Sequence, residues 1–487
     1  MLQTDVPEQL VLQYISRNLV DLDSKLAIRP GLAEKLEISP DGRTCTVHLR
    51  PDAVWEDGNP ITPADGVFTL RRIVDAPSPL YKPFFEDLEA VEVAGPHAFR
   101  ARFRSPYAYR AMAFVLPLLP EHRFAGVAFD KAPANRAPLA NGPYRLASWK
   151  AQESIALERN PRYWGEPGHF DRILFRILPD NSVAYRALVR GDLDESILDA
   201  GLKERASGDA EFASCCRLLE FFDLDFNYVA LNTRLPFFQD ARVRRALTML
   251  LDRQAIVKNL YRGSARVISG PWPPESPAYD ASVPPLPYDP AEAARLLDEA
   301  GWRVSGADGI RRKAGRRFEF ELLVSAGSAI GRQIDETFAA ELASAGIRAR
   351  VRPIEWASLV ERLDSGSFEA ASLASSGEDP NPDPYSYWHS SQWPPRGLNS
   401  GYYRNPEADR LMDEARVEMD EARRMAIYHR LHRILRDDAP AIFLFNSTKK
   451  YGLRRRLTGV ETSPLGLFSI WPGPIGWSAT DAPAGTR

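Results

Sequence analysis

Residues 378–399 concentrate side chains of the types that bind small molecules or catalyse reactions on them. The stretch holds three carboxylates (Glu378, Asp379 and Asp383), four Tyr or Trp residues, one arginine and five prolines. Aromatic rings offer flat apolar walls, and a carboxylate orients a cationic group such as an amine. Exposing so many rings to water is costly, and so is burying carboxylates without partners. We therefore interpret this stretch as a loop lining a binding cleft; the alternative is an ordinary proline-rich surface loop.

The same carboxylates suit a second chemistry, hydrolysis. Asp379, Asp383 and Glu378 are candidates for the acid and nucleophile of a glycosidase-like enzyme, which requires surroundings that separate their pKa values. The sequence has no phosphate-binding loop, dinucleotide fingerprint, His-Glu-x-x-His or nucleophile-elbow motif. His429 and His432 lack an evident third metal ligand, so we interpret them as core or surface histidines. A charge anchor for a ligand is the simpler role, and we expect no catalysis, metal or cofactor.

The elements that lead to this loop predict an α/β unit. Alternating apolar runs and helix-capping residues predict a strand–helix–strand–helix–strand order over residues 318–324, 330–345, 347–352, 356–363 and 368–374. Such alternation implies a parallel sheet with right-handed crossovers. The loop leaves the carboxyl end of the last strand, which is where open α/β sheets bind ligands. Its prolines exclude a helix or a central strand within the loop itself.

The rest of the chain predicts a second, strand-rich region of the α+β class. Residues 44–50 and 173–177 alternate in polarity, and residues 88–93 and 97–104 flank Gly95-Pro96 as a hairpin. Strand and loop patterns return near the carboxyl terminus. The α/β part is therefore predicted to be inserted in a larger strand-rich domain. The chain would then cross twice between two domains, as in a hinge over a cleft.

Bulk composition excludes several classes of protein. A chain of 487 residues is too long for one ordinary core. Its net charge of −3 argues against a nucleic-acid partner, and we interpret the basic runs at 311–317 and 454–456 as solvated loop or strand-edge charges. No apolar stretch is long enough to span a bilayer, and no signal peptide is visible after Met1. The three cysteines, Cys45, Cys215 and Cys216, leave the disulfide state open.

Short motifs along most of the chain resemble those of one protein family. They are Arg29-Pro-Gly-Leu-Ala-Glu34, Ile38-Ser-Pro-Asp-Gly42, Trp55-Glu-Asp-Gly-Asn-Pro-Ile-Thr-Pro-Ala-Asp65, Asn141-Gly-Pro-Tyr144, Glu158-Arg-Asn-Pro-Arg-Tyr-Trp-Gly165, Leu231-Asn-Thr233, Asp240-Ala-Arg-Val-Arg-Arg-Ala-Leu247 and Asp438-Ala-Pro440. In this order and spacing they resemble the extracellular solute-binding proteins of family 5. These are the receptors of peptide-, oligopeptide- and nickel-type ABC importers.

The resemblance implies a two-lobed fold of the periplasmic-binding-protein type, α/β overall with an α+β first lobe and a hinge. Lobe I would comprise residues 1–230 and 448–487, with an extra subdomain at about 30–150, and lobe II residues 231–447. A monomer would capture a peptide or similar small solute in the cleft by hinge closure and deliver it to a membrane permease. Its expected location is periplasmic or lipid-anchored outside the cell, or cytoplasmic if Met1 is the true start. The alternatives are a cytoplasmic ligand-sensing relative and, less favoured, a carboxylate-dependent hydrolase.

The resemblance also implies roles for the loop carboxylates. In peptide-binding relatives an aspartate of this loop holds the α-amino group of the ligand. Asp379 is the best match for it and Glu378 the next. Asp383 either contacts the ligand or stabilises the loop by bonding backbone N–H groups.

The other candidate ligand-binding residues are aromatic or polar. Trp388 and Trp393 are either apolar walls of the site or ordinary core tryptophans. Arg396 would pair with a ligand carboxylate, or with Asp379 or Asp383 in the empty protein. Asn399, Tyr402 and Tyr228 complete the predicted set. We interpret Asn141, Gly142 and Tyr144 as structural.

Overall fold

The computed structural model describes residues 6–75, 81–127, 131–135, 137–375 and 381–480. Contacts divide the chain into two units, Met1–Phe221 with Lys449–Arg487, and Phe222–Thr448. No helix in the described ranges combines the length and the apolarity needed to cross a lipid bilayer.

The first unit is mainly antiparallel. Its helices are α1 (Val6–Ile15), α2 (Pro63–Asp75), α3 (Lys82–Phe85), α4 (Glu121–Phe124), α5 (Asn181–Arg190), α6 (Ala200–Gly208) and α7 (Ala210–Cys215). Its strands are β1 (Val20–Leu22), β2 (Ile28–Pro30), β3 (Ala33–Ile38), β4 (Thr44–Leu49), β5 (Leu88–Gly95), β6 (Ala98–Phe103), β7 (Tyr144–Lys150), β8 (Ser154–Arg159), β9 (Arg172–Arg176), β10 (Glu195–Ile197) and β11 (Cys216–Phe222).

Two antiparallel sheets, β3-β4-β6-β5 and β7-β8-β9, carry most of these strands. The predicted hairpin is confirmed: β5 and β6 pair with Val91 opposite Ala101. Alternate residues of β4 are buried, as the polarity pattern predicted. Gly142 is structural, because a Cβ there would lie 2.8 Å from the carbonyl carbon of Ile15.

The second unit contains helices and a mixed sheet. Its helices are α8 (Ala241–Met249), α9 (Arg253–Asn259), α10 (Pro290–Glu299), α11 (Ala329–Ser344), α12 (Trp356–Ser365), α13 (Tyr385–Trp388), α14 (Pro406–Val417) and α15 (Glu421–Asp438). Its strands are β12 (Phe226–Leu231), β13 (Ala265–Val267), β14 (Arg303–Val304), β15 (Arg311–Lys313), β16 (Arg316–Arg317), β17 (Glu319–Ser325), β18 (Arg348–Ile354), β19 (Ala370–Ser375) and β20 (Ala441–Phe443). β21 (Phe445–Arg454) begins in this unit and ends in the first, which also holds β22 (Leu457–Thr458) and β23 (Ser478–Ala479).

The main sheet of this unit has the strand order β18-β17-β19-β12-β20. β17 runs parallel to β18 and to β19, which confirms the predicted strand–helix alternation. β12 and β20 extend the sheet by antiparallel pairing, with Tyr228 opposite both Leu373 and Phe443. One face of the sheet packs on α8, α10 and α11 in a large apolar core. The other face, which carries Tyr228, is the face that concerns the candidate site.

The prediction that the loop contains no helix is wrong in one place. α13 forms a single turn at Tyr385–Trp388, and residues 390–392 form a 3₁₀ turn. Pro384 stands immediately before α13. A proline is compatible with a helix start because the first backbone N–H groups have no partner within the helix.

The prediction that the basic runs are solvated is also wrong for two arginines. Arg311 is 5% exposed; its guanidinium bonds the carbonyls of Ala345 and Trp302 and lies 2.6 Å from the Asp298 carboxylate. Arg454 donates to the carbonyls of Leu188 and Val189 at the end of α5. A cation at this position is favourable, since the carboxyl end of a helix carries partial negative charge.

Candidate functional site

The candidate loop follows the carboxyl end of β19, at the edge of the sheet where the sequence placed it. Glu378 and Asp379 lie outside the described residues, so their roles stay predictions. The described part runs through α13 and the 3₁₀ turn to Tyr403. We refer to residues 381–403 as the aromatic segment.

Trp388 lies on the face of the sheet opposite the main core. Its ring centroid is 6.3 Å from that of Tyr228 on β12 and 5.4 Å from that of Phe443 on β20. Trp388 and Tyr228 are only 7% and 8% exposed. Burial raises the pKa of the Tyr228 hydroxyl above its usual range. The cluster joins the aromatic segment to two strands and brings two of the predicted site residues together.

The carboxylate of Asp383 is bonded to other groups of the protein. Its carboxylate accepts a hydrogen bond from the N–H of Tyr385 at 3.1 Å and lies 3.1 Å from Nε of Arg416 on α14. Its own N–H donates to Oδ1 of Asn381. The Arg416 guanidinium also lies over the Tyr385 ring, 4.1 Å from its centroid. This geometry corresponds to the loop-stabilising role that the sequence left open for Asp383. It also identifies Arg416, rather than Arg396, as the arginine that pairs with it.

Asn399 is fully engaged in holding the loop. Its amide donates to the carbonyls of His389 and Tyr403 and accepts the N–H of Tyr403 at 3.0 Å. The side chain is 1% exposed. Trp393 bonds the same region, because its indole N–H donates to the Tyr403 carbonyl at 3.2 Å. Both residues therefore position the chain around Tyr403.

Tyr402 and Arg396 differ sharply in their surroundings. Tyr402 is buried, with a backbone φ of 57°, and it packs edge-on against Trp393 at 5.6 Å. The guanidinium of Arg234 lies 3.4 Å from the centroid of its ring. Arg396 is exposed, and its guanidinium makes no hydrogen bond or ion pair with any other described residue. Of the partners considered for Arg396, Asp383 is bonded to Arg416 instead, and pairing with a ligand carboxylate or with Asp379 stays a prediction.

Sequence reasoning missed the supports that α14 provides. Asp409 accepts hydrogen bonds from the N–H and the hydroxyl of Ser390, at 2.9 and 2.6 Å. His389 stacks on Tyr385 with 4.2 Å between centroids, and its Nδ1 lies 2.7 Å from the Ser391 hydroxyl. Asp409 and Arg416 are seven residues apart and share one face of α14. That spacing was the available signal for a helix that braces the loop.

Of the two histidines considered as metal ligands and interpreted as core or surface residues, His432 lies in the core. His432 is completely buried, with Nε2 3.0 Å from the Ser269 hydroxyl and Nδ1 accepting the Asp280 N–H. Burial lowers the pKa of His432 to about 4. Within the described ranges, no three His, Cys, Asp or Glu side chains are grouped to hold a metal ion. All three cysteines are free thiols.

Comparison with known proteins decides the family. The profile of the bacterial extracellular solute-binding proteins, family 5 (middle region), matches residues 27–395. The chain belongs to this family. As a family 5 protein, it is a solute-binding protein, and the resemblance drawn from its motifs is confirmed.

Relatives of this family 5 protein match over almost the whole chain. Protein XP55 of Streptomyces lividans is 31% identical over 95% of this chain and 84% of its own length. The oligopeptide-binding protein AppA of Bacillus subtilis is 27% identical over 95% of this chain and 85% of its own length. The solved structure of that AppA in complex with a nonapeptide superposes with a TM-score of 0.86 at 26% identity, covering 98% of this chain and 95% of AppA. The predicted two-lobed binding-protein fold is therefore confirmed.

Proposed function

We propose that this protein captures a peptide or similar small solute outside the cell and delivers it to the membrane permease of an ABC importer, without a catalytic step. The observation that supports this most directly is the near-complete superposition on an oligopeptide-binding protein carrying a nonapeptide. The dipeptide-binding protein of Escherichia coli, 26% identical over 90% of this chain, supports the same ligand class.

The ligand-binding set that we propose separates contact residues from supporting residues. Asp379, with Glu378 beside it in the chain, holds a cationic group of the solute, since a carboxylate in a dry site gains a charge-assisted bond when an amine arrives. Arg396, exposed at the far end of the loop, is available for a solute carboxylate.

The remaining predicted residues support those contacts. Tyr228 and Trp388 form the aromatic base of the site, and Trp393 and Tyr402 pack against each other as a separate pair. Asp383 and Asn399 act through the loop conformation, because their polar atoms already bond the aromatic segment and α14. We retain the predicted lobes, residues 1–230 with 448–487 and residues 231–447, and their closure on the solute as part of the proposal.

The first test is native mass spectrometry of the purified protein, followed by mild denaturation to release bound solute. A co-purified peptide or other amine-bearing solute is the expected result. Its affinity should then fall by ~2–5 kcal/mol in Asp379→Ala, because truncation leaves the amine unpaired in the site. Asp364→Ala, an exposed aspartate of α12, serves as the matched control and should bind like the wild type. Equal affinities of the two variants would remove Asp379 from the site.

A further inference from the structure

The edge strand of the main sheet carries a regular row of arginines. Among the strands that the structure describes, β18 pairs only with β17, and it is largely exposed. Arg348, Arg350 and Arg352 alternate along it and therefore point to one face. The register places Glu319 opposite Arg348 and Glu321 opposite Arg350. This face is the one opposite the main apolar core.

The acidic side chains of this face form ion pairs with some of its arginines but not with all of them. Glu319 pairs with Arg348 at 3.3 Å, and Glu321 pairs with Arg352 at 2.8 Å and with Arg362 at 3.2 Å. Glu369 is used differently, since it accepts the backbone N–H of Glu321. Arg350 makes no hydrogen bond or ion pair through its side chain with any other residue that the structure describes.

The positive surface continues into the small neighbouring sheet β14-β15-β16. Arg303, Arg312 and Arg317 lie opposite one another across its three strands and so share a face. Arg317 reaches Glu319 at 2.8 Å, which joins this face to that of β18. Asp308 pairs with both Arg312 and Arg317. Together the surface carries an excess of three positive charges, on a protein whose net charge is −3; its charged residues are Arg303, Arg312, Arg317, Arg348, Arg350, Arg352 and Arg362 with Asp308, Glu319, Glu321 and Glu369.

The backbone of β18 also has free hydrogen-bonding groups. The N–H of Arg348 donates to Phe318 and the carbonyl of Ile354 accepts from Ala326, so the even-numbered residues bond towards β17. By the alternation of a parallel ladder, Ala349 and Val351 direct their N–H and C=O groups outward. Pro353 has no N–H and limits the free edge to a few residues. A cavity of about 890 Å³ opens beside this edge, lined in part by Arg350, Val351, Arg352, Phe368 and Glu369.

We propose that this edge, residues 348–352, binds an extended acidic segment of a partner protein as an added strand. Alternate side chains of an extended peptide are about 6.7 Å apart, the same repeat as that of the three arginines on β18. Carboxylates at alternate positions of the segment would therefore each meet one arginine while its backbone bonds Ala349 and Val351. The surface lies at the amino end of β19 and the candidate ligand loop follows its carboxyl end, some 20 Å away. The proposal thus adds a second binding surface to the proposed function and does not depend on it.

The test uses two fluorescently labelled, end-capped peptides of identical composition and the full-length protein at low salt. One peptide alternates Thr and Glu over seven residues; the other groups its three Glu residues together. Fluorescence anisotropy should show preferential binding of the alternating peptide. Arg350→Glu should weaken that binding about tenfold, and Arg350→Gln by less, because attraction is replaced by repulsion in the first and only removed in the second.

Controls separate this surface from other sources of binding. Arg190→Glu, an exposed arginine of the first unit paired with Asp192, makes the same charge change elsewhere and should bind the peptide like the wild type. Equal affinity for the two peptides, no binding of either, or a loss of binding in Arg190→Glu as large as that in Arg350→Glu would each overturn the proposal. The arginines would then serve to keep the edge from pairing with other strands.

Discussion

Removing the arginine that pairs with Asp383 should open the aromatic segment locally. In Arg416→Met the Asp383 carboxylate, whose side chain is 6% exposed, loses a guanidinium at 3.1 Å. Breaking a fully buried ion pair costs about 3–5 kcal/mol. Arg416 is 26% exposed, so water screens part of this loss. Its lost contact with the Tyr385 ring adds about 0.5–1 kcal/mol. We therefore expect the segment to lose about 3 kcal/mol of local stability.

Hydrogen exchange measured by mass spectrometry is the suitable assay, because it reports local opening separately from unfolding of a two-unit chain. A loss of about 3 kcal/mol corresponds to exchange faster by on the order of a hundredfold. The faster exchange should be confined to proteolytic peptides that cover α13. These peptides contain amides such as the Tyr385 N–H, which donates to Asp383.

Two further variants test whether the effect comes from the Arg416–Asp383 pair. Arg410→Met removes an exposed arginine of the same helix, which pairs with Glu407 and Glu414, and should leave exchange in α13 unchanged. Asp383→Asn removes the charge but keeps an oxygen to accept the Tyr385 N–H, so adding it to Arg416→Met should cause little further loss. Unchanged exchange in Arg416→Met, or the same acceleration in Arg410→Met, would refute the stabilising role that we assign to the pair.

Two further predictions concern the stability of the second unit. Trp388→Ala should lower the free energy of unfolding in urea by about 3–5 kcal/mol, because the ring fills the space against Tyr228 and Phe443; Trp356→Ala, at a position 56% exposed, is the control and should cost little. His432 has a folded pKa of about 4, below its usual 6.5, so the unfolded chain takes up its proton first as the pH falls. Stability should therefore decrease between pH 6.5 and 4, by up to about 3 kcal/mol, and stay level above pH 6.5 as far as this group is concerned. His432→Gln should remove that slope in denaturation curves collected across this range; an equally steep slope in the variant would contradict the assignment.

The sequence predicted the α/β elements because local signals agreed with one another. Ser328 caps α11 and Gly346 follows its carboxyl end, in agreement with the helix predicted over residues 330–345. Strand-length apolar runs between these signals were then unambiguous. The same logic located the loop at the carboxyl end of β19.

What escaped prediction depends on contacts between segments distant in the chain. The sequence of residues 226–231 does not indicate that β12 pairs antiparallel with β19, because β19 lies some 140 residues later in the chain. The run of basic residues predicts that Arg311 is a surface charge, yet its side chain is buried. The burial is tolerated because the Asp298 carboxylate and two carbonyls bond its guanidinium. Arg416 belongs to a helix that reads as an ordinary amphipathic one. The stabilising role of Arg416 follows from its contact with the Asp383 carboxylate, which belongs to a different segment of the chain.

The bracing of the aromatic segment has a consequence for how specificity changes over evolution. Trp388 is held by strands, Asp383 by α14 and Asn399 by the aromatic segment itself, and none of them by the solute proposed to bind nearby. Substitutions at positions 378 and 379 can therefore alter solute preference while the contacts that stabilise the segment are retained. Foldability and selectivity become separable traits, so a randomised library at those two positions should yield mostly folded variants. A lineage of such receptors can thus change its nutrient without first acquiring compensating stabilising mutations.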